Sequence, residues 1–128
     1  MHIDGHRIRT LVVDDSLTAL QAMCSLLQRQ PEIELVGTAQ DGCEAVEVVR
    51  NLRPELVLLD VQMPVMGGIE AATQVRRDFP ATRIIMVTVH DTAVVRQACQ
   101  ESGAHAFIAK ERLDQEFPAI LRQLFGLA

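Results

Sequence analysis

The sequence contains no tryptophan and no tyrosine, and only four phenylalanines in 128 residues. So thin an aromatic supply argues against a stacking platform for single-stranded nucleic acid. It also requires the core to be aliphatic. Disulfide and zinc signals are missing: no CxxC occurs, and Cys24, Cys43 and Cys99 are odd in number and far apart. Buried free thiols in a reducing cytosol are the expectation. Long apolar runs are missing too, since none approaches the ~20 residues of a membrane span. The first ten residues, "MHIDGHRIRT", are polar. No leader and no membrane contact are expected, and the location is read as cytoplasmic. Positive charge is in deficit, with 12 basic against 17 acidic residues and a net charge of −5. Such a chain is repelled by polyanions, so direct nucleic-acid binding is not expected.

What remains is the balance of one globular domain, 48% apolar and 23% charged, long enough to bury a core without staples. Apolar runs of strand length recur: "TLVV" at 10–13, "IELVGTA" at 33–39, "ELVLLD" at 55–60, "RIIMVTV" at 83–89 and "AFIA" at 106–109. They are rich in Val, Ile and Leu and mostly non-alternating, as in strands covered on both faces. Helical spacing fills the intervals. It shows in Leu17, Leu20, Met23 and Leu27, then in Ala45, Val48 or Val49, and Leu52. It returns in Ile69, Ala72 and Val75 and in Leu113, Phe117, Ile120 or Leu121, and Leu124. The 91–102 segment is weaker, with Val94, Val95, Ala98 and Cys99 as its apolar face. Ser16, Asp41 and Asp91 are predicted helix N-caps. Gly67–Gly68 opens the third helix and Gly103 closes the fourth. Pro31, Pro54 and Pro80 each stop a helix before the next strand.

The order is (βα)₅, which implies a parallel sheet with helices on both faces and right-handed crossovers. The fold class is a flavodoxin-like, doubly wound α/β sandwich with strand order 2-1-3-4-5. In such sheets the site lies beyond the carboxyl ends of the strands. The first strand ends in Asp14 and Asp15, the third in Asp60, the fourth near Thr88 and the fifth at Lys110. Three carboxylates, a hydroxyl and an ammonium therefore converge on one edge. Like charges so close need a cation, and an all-oxygen, partly hydrated set suits Mg²⁺. Asp60 stands alone on the central strand and is the candidate nucleophile for an acyl phosphate. Lys110 and Mg²⁺ would neutralise a transferring phosphoryl group, and Thr88 could hydrogen-bond to it.

Four motifs in correct order carry a resemblance: "VVDDS" at 12–16, "LLDVQMPVMGG" at 58–68, "MVTVH" at 86–90 and "GAHAFIAK" at 103–110. Over about residues 8 to 125 the chain resembles a bacterial response-regulator receiver domain. The resemblance implies that Asp60 is the phosphoacceptor. It implies that Asp15, Asp60 and the backbone carbonyl of Gln62 bind Mg²⁺, with Asp14 acting mainly through water. Thr88 and Lys110 would contact the phosphoryl oxygens. Thr88 and Phe107 would be the switch pair, and phosphorylation would alter the face built from the fourth helix, fifth strand and fifth helix. The resemblance also implies that Gln62 and His90 occupy positions that tune dephosphorylation. The implied partners are a sensor histidine kinase or phosphotransfer protein and an output domain, fused or separate. A homodimer could form on phosphorylation.

Glu111 replaces the proline that often follows the family's lysine, so no cis peptide is expected there. A lysine followed by an acidic residue resembles the NarL/LuxR-type subgroup, which is usually joined to a helix-turn-helix domain. Residues 1–128 are read as a single receiver domain without that output domain, and a stand-alone receiver and a truncated one stay equally open.

Other readings compete. Asp14–Asp15 alone reads as a turn and N-cap. A pseudo-receiver, an interaction module acting without phosphorylation, usually lacks an acidic residue or the lysine, and neither is missing. A nucleotide or flavin enzyme on this fold is disfavoured because no GxGxxG follows the first strand and no GxxxxGK[ST] occurs. The domain is therefore read as a phosphoacceptor and not an enzyme acting on other substrates. Phe107 competes with a plain core role and His90 with a plain surface role. His2, His6 and His105 suggest no metal site, Met63 and Met66 suggest loop packing, and Arg76 and Arg77 a solvated helix face.

Overall fold

The structure is a computed structural model and describes residues 6–126. Five strands alternate with five helices. The strands are β1 (Ile8–Val13), β2 (Ile33–Ala39), β3 (Leu56–Asp60), β4 (Arg83–Thr88) and β5 (Ala106–Ala109). The helices are α1 (Leu17–Gln28), α2 (Gly42–Leu52), α3 (Gly68–Asp78), α4 (Ala93–Glu101) and α5 (Leu113–Phe125). A 3₁₀ turn, Lys110–Arg112, joins β5 to α5. All strand pairings are parallel, in the order β2-β1-β3-β4-β5. This is the doubly wound, flavodoxin-like arrangement read from the sequence.

Side-chain alternation along each strand builds two aliphatic layers. Leu11, Val57, Leu59, Ile84 and Met86 face α2, α3 and α4, whose Ala45, Val49, Ala72, Val75 and Cys99 complete that layer. Val12, Leu56, Leu58, Ile85 and Ile108 face α1 and α5, where Leu20, Leu27, Phe117 and Leu121 meet them. All five residues of β3 are buried. A strand with neighbours on both sides and helices on both faces has no solvated surface, which is why its run does not alternate.

Several local expectations need correction. The N-cap of α4 is Thr92, whose hydroxyl accepts the Val95 N–H, and not Asp91. Val94 is 79% exposed and lies off the helix's buried stripe, where only Cys99 is fully covered. The cysteines are not uniformly buried: Cys99 is, Cys24 is half-buried and Cys43 is exposed. Cys43 misses the stripe of α2 formed by Gly42, Ala45, Val46 and Val49. Ser16 and Asp41 do cap α1 and α2, accepting from Ala19 N–H and Glu44 N–H. Arg53, in the left-handed region at φ 48°, closes α2 one residue before Pro54. No cis peptide bond occurs among the described residues.

Two glycines press the β3–α3 loop against the end of β3. Gly68 N–H donates to Val61 O at 2.8 Å, and Gly42 N–H donates to Met66 O at 2.9 Å. A Cβ on Gly68 would lie 2.0 Å from the carbonyl oxygen of Asp60. That contact is backbone and cannot swing aside. Gly68→Ala is therefore expected to lower stability by about 3 kcal/mol, the upper end of an overpacking cost, measured as a fall in the urea midpoint at unchanged m-value. An unchanged midpoint would show that the loop has room to retreat from Asp60.

Candidate functional site

The ladder register brings the site together. Val13 pairs with Leu59, Asp60 with Val87, and Thr88 with Ala109. The residues that follow β1 and β5, Asp14 and Lys110, therefore emerge on the same edge as Asp60. Burial differs among them. Asp14 is 0% exposed and Asp60 5%, whereas Asp15 is exposed. Carboxylate oxygens of Asp14, Asp15 and Asp60 lie within 4.8 Å of one another.

Lys110, the chain's single lysine among eleven arginines, spans the two buried acids. Its Nζ lies 2.6 Å from Asp14 Oδ2 and 3.6 Å from Asp60 Oδ1. Asp14 Oδ1 accepts the Ser16 N–H at 2.9 Å, which fixes the carboxylate's rotation. Asp14 Oδ2 is buried with no aligned hydrogen bond, so charge contact with Lys110 is its main compensation. Burial pushes the Asp60 carboxyl up from 3.8 to about 6; Asp14 and Asp15 push the same way, while Lys110 and the Gln62 N–H oppose them.

Three carboxylates against one ammonium leave a deficit of positive charge. The donor set is all oxygen, closely spaced, and open to solvent on the Asp15 side. It fits a hard divalent cation that keeps part of its water shell, and it offers no nitrogen or sulfur for a softer metal. Among the described residues this is the only cluster of three or more acidic, histidine or cysteine side chains close enough to hold an ion.

The other predicted site residues differ in burial and in what they touch. Thr88 is buried, and its Oγ1 accepts the His90 N–H at 2.9 Å, leaving the hydroxyl proton available to a further acceptor. Gln62 and His90 are exposed. Phe107 is half-buried on the edge strand, its ring beneath the Arg96 guanidinium at 4.5 Å. Met63 and Met66 pack onto the α2–α4 layer, as expected of loop methionines.

Histidines divide as follows. His2 lies outside the described residues. His6 meets Glu55 at 2.9 Å. His105 Nδ1 accepts the Ile84 N–H at 3.0 Å, and burial, with Arg76 and Arg83 nearby, lowers its pKa. Arg76 is not simply solvated: it is half-buried, and its Nη1 donates to Pro80 O. The sequence reading missed Arg96 and Asp91 as a pair. Their five-residue separation straddles a helix N-terminus, so no periodicity marks them.

Residues 10–122 match the family described as the response regulator receiver domain, and the chain belongs to that family. It is therefore a receiver domain of two-component signalling. Over 112 residues it is 38% identical to a protein-glutamate methylesterase/protein-glutamine glutaminase of Pyrococcus abyssi, a match covering 86% of this chain and 30% of that protein. The chain thus spans about a third of the length of such curated relatives. Its backbone is similar to the response regulator domain of Thermotoga maritima CheB, with TM-score 0.86, 30% identity and coverage of 96% of this chain and 99% of that one. It is equally similar to the signal receiver domain of NarL from Mycobacterium tuberculosis, with TM-score 0.88, 29% identity and coverage of 94% and 98%. Among the described residues no helix is long and apolar enough to cross a membrane.

The raised Asp60 carboxyl has a consequence for stability. Between pH 4 and about 6 the unfolded chain has released this proton and the folded chain has not. Folding stability from this group therefore falls as pH rises through that window and stays low above it. In EDTA at pH 7, Asp60→Asn is expected to raise stability by about 1–2 kcal/mol, less than the full shift implies because water reaches the site's mouth. The measurement is the difference between wild-type and variant urea midpoints across pH 4–7. Taking the difference cancels His105, whose lowered pKa adds a slope of opposite sign to both proteins. A difference that does not change with pH would contradict a raised carboxyl at Asp60.

Proposed function

We propose that this receiver accepts a phosphoryl group on Asp60 from a histidine kinase or phosphotransfer protein and uses it to switch an output. The observation that carries the proposal is the Lys110 ammonium, held between Asp14 and Asp60 with Asp15 completing the acidic cluster. At pH 7 the Asp60 carboxylate is mostly ionised despite its raised pKa. Its oxygen attacks phosphorus on the donor's phosphohistidine as the P–N bond breaks. The electron pair returns to the imidazole nitrogen, and neutral imidazole leaves because the ring's other nitrogen already carries a proton. Lys110 and the Thr88 hydroxyl stabilise charge on the phosphoryl oxygens. Mg²⁺, held by Asp15, Asp60 and the Gln62 backbone carbonyl with Asp14 acting through water, would supply the remaining charge neutralisation.

Thr88 and Phe107 then report the added charge to the α4–β5–α5 face, where an output domain or a second copy would dock. Gln62 and His90, exposed on the rim, set how readily water reaches the acyl phosphate. The donor would be met in the cytoplasm. The greater length of the methylesterase relatives supports a fused output domain as one arrangement, with a separate partner as the other.

Acetyl phosphate with Mg²⁺ should add about 80 Da to the wild type by intact mass, and nothing to Asp60→Asn. EDTA should abolish the gain. Lys110→Ala should slow it about 100-fold, as for loss of one preorganised charge donor. Mass gain in Asp60→Asn at the wild-type rate would remove Asp60 as acceptor. No gain in the wild type would favour a pseudo-receiver.

A further inference from the structure

The site and the switch residue are joined by a specific path of contacts. Thr88 Oγ1 holds the backbone N–H of His90 at 2.9 Å. The next residue, Asp91, is gripped by Arg96 in a two-pronged contact, Nε to Oδ1 at 2.6 Å and Nη2 to Oδ2 at 3.0 Å. Arg112 Nη2 reaches the same Oδ2 at 3.1 Å. Arg112 in turn pairs with Glu116 at 2.9 Å. The Arg96 guanidinium, fixed in this way, lies 4.5 Å over the Phe107 ring.

Each contact is weak alone, being largely exposed. Their arrangement is what matters. A free arginine would sample many rotamers above an edge-strand ring, whereas a bidentate carboxylate holds its plane in place. Because Thr92 caps α4, Asp91 is free to face Arg96 and Arg112. A shift of the Thr88 hydroxyl toward a new acceptor must release the His90 N–H or draw it along. Either change alters the anchor of the residue next to Asp91, and through Asp91 the seat of Arg96.

We propose that Asp91 and Arg96 are the link through which the Thr88 hydroxyl controls Phe107, holding the ring in its unphosphorylated position until the site is occupied. The inference rests on the receiver chemistry proposed above and adds two positioning residues to it. By linkage, removing Arg96 should favour the occupied state by the same factor with which occupation weakens the Arg96–Phe107 contact. A cation over a partly exposed ring contributes enough for about a two- to fivefold effect.

The test uses the whole chain labelled with 4-fluorophenylalanine. Only four phenylalanines are present, so four resonances result, and Phe107→Leu assigns the one of interest. Beryllofluoride with Mg²⁺ serves as the probe of occupation. In Arg96→Met the ligand-free Phe107 resonance should move toward the position seen in the saturated wild type, and beryllofluoride affinity should tighten two- to fivefold. Asp91→Asn should do the same to a lesser degree, and Arg96→Lys should fall between Met and wild type. Wild-type binding with a Phe107 shift, but unchanged resonance and affinity in both Arg96→Met and Asp91→Asn, would overturn the link alone. Weaker affinity in Arg96→Met would overturn its direction. Failure of the wild type to bind beryllofluoride would remove the receiver chemistry, and the link with it.

Discussion

The contact between Lys110 and the buried pair Asp14 and Asp60 governs the rest of this molecule. Two carboxylates that are 0% and 5% exposed cannot share a small volume without an ammonium between them. One ammonium is not enough for three acids, and the residual imbalance shows as the raised Asp60 carboxyl. The same imbalance suits a hard divalent cation, and in the function proposed above that cation would in turn balance the charge of a phosphoryl group. Stability and function are opposed at this one edge, while the aliphatic layers beneath supply the rigidity that keeps the charges in place.

That rigidity has a clear origin. β3 is central and buried on both faces, so Asp60 sits at the end of an element with little freedom to retreat. The glycine at position 68 lets the following loop close directly over the Asp60 carbonyl. By contrast, β5 is a four-residue edge strand, and α4 has one fully buried residue. The acidic end of the sheet is held firmly and its α4–β5 flank loosely. An electrostatic change at the first can therefore be expressed as movement in the second.

The similarity of the backbone to both CheB-type and NarL-type receivers bears on specificity. A shared backbone does not fix what a receiver acts on, and in the function proposed above the output would be chosen by surface residues outside the charge cluster. The exposed network of Asp91, Arg96, Arg112 and Glu116 lies on the face where such a choice would be made. It is built from side chains outside the acidic cluster.

Much of this was legible in the sequence because its signals are local and periodic. Non-alternating runs marked buried parallel strands, helical stripes marked the layers between them, and Asp14, Asp15, Asp60, Thr88 and Lys110 each stood at a strand end. Once strands and helices alternate, chain handedness leaves few topologies, and the convergence of those residues follows. Other features depend on which atoms meet across the chain. That His105 would take the Ile84 N–H, that Asp91 would release the cap position to Thr92, and that Arg96 would lie over Phe107 were decided only by the tertiary structure. A polar side chain on a half-exposed surface has several partners of nearly equal energy, and only the packed backbone brings one of them within reach.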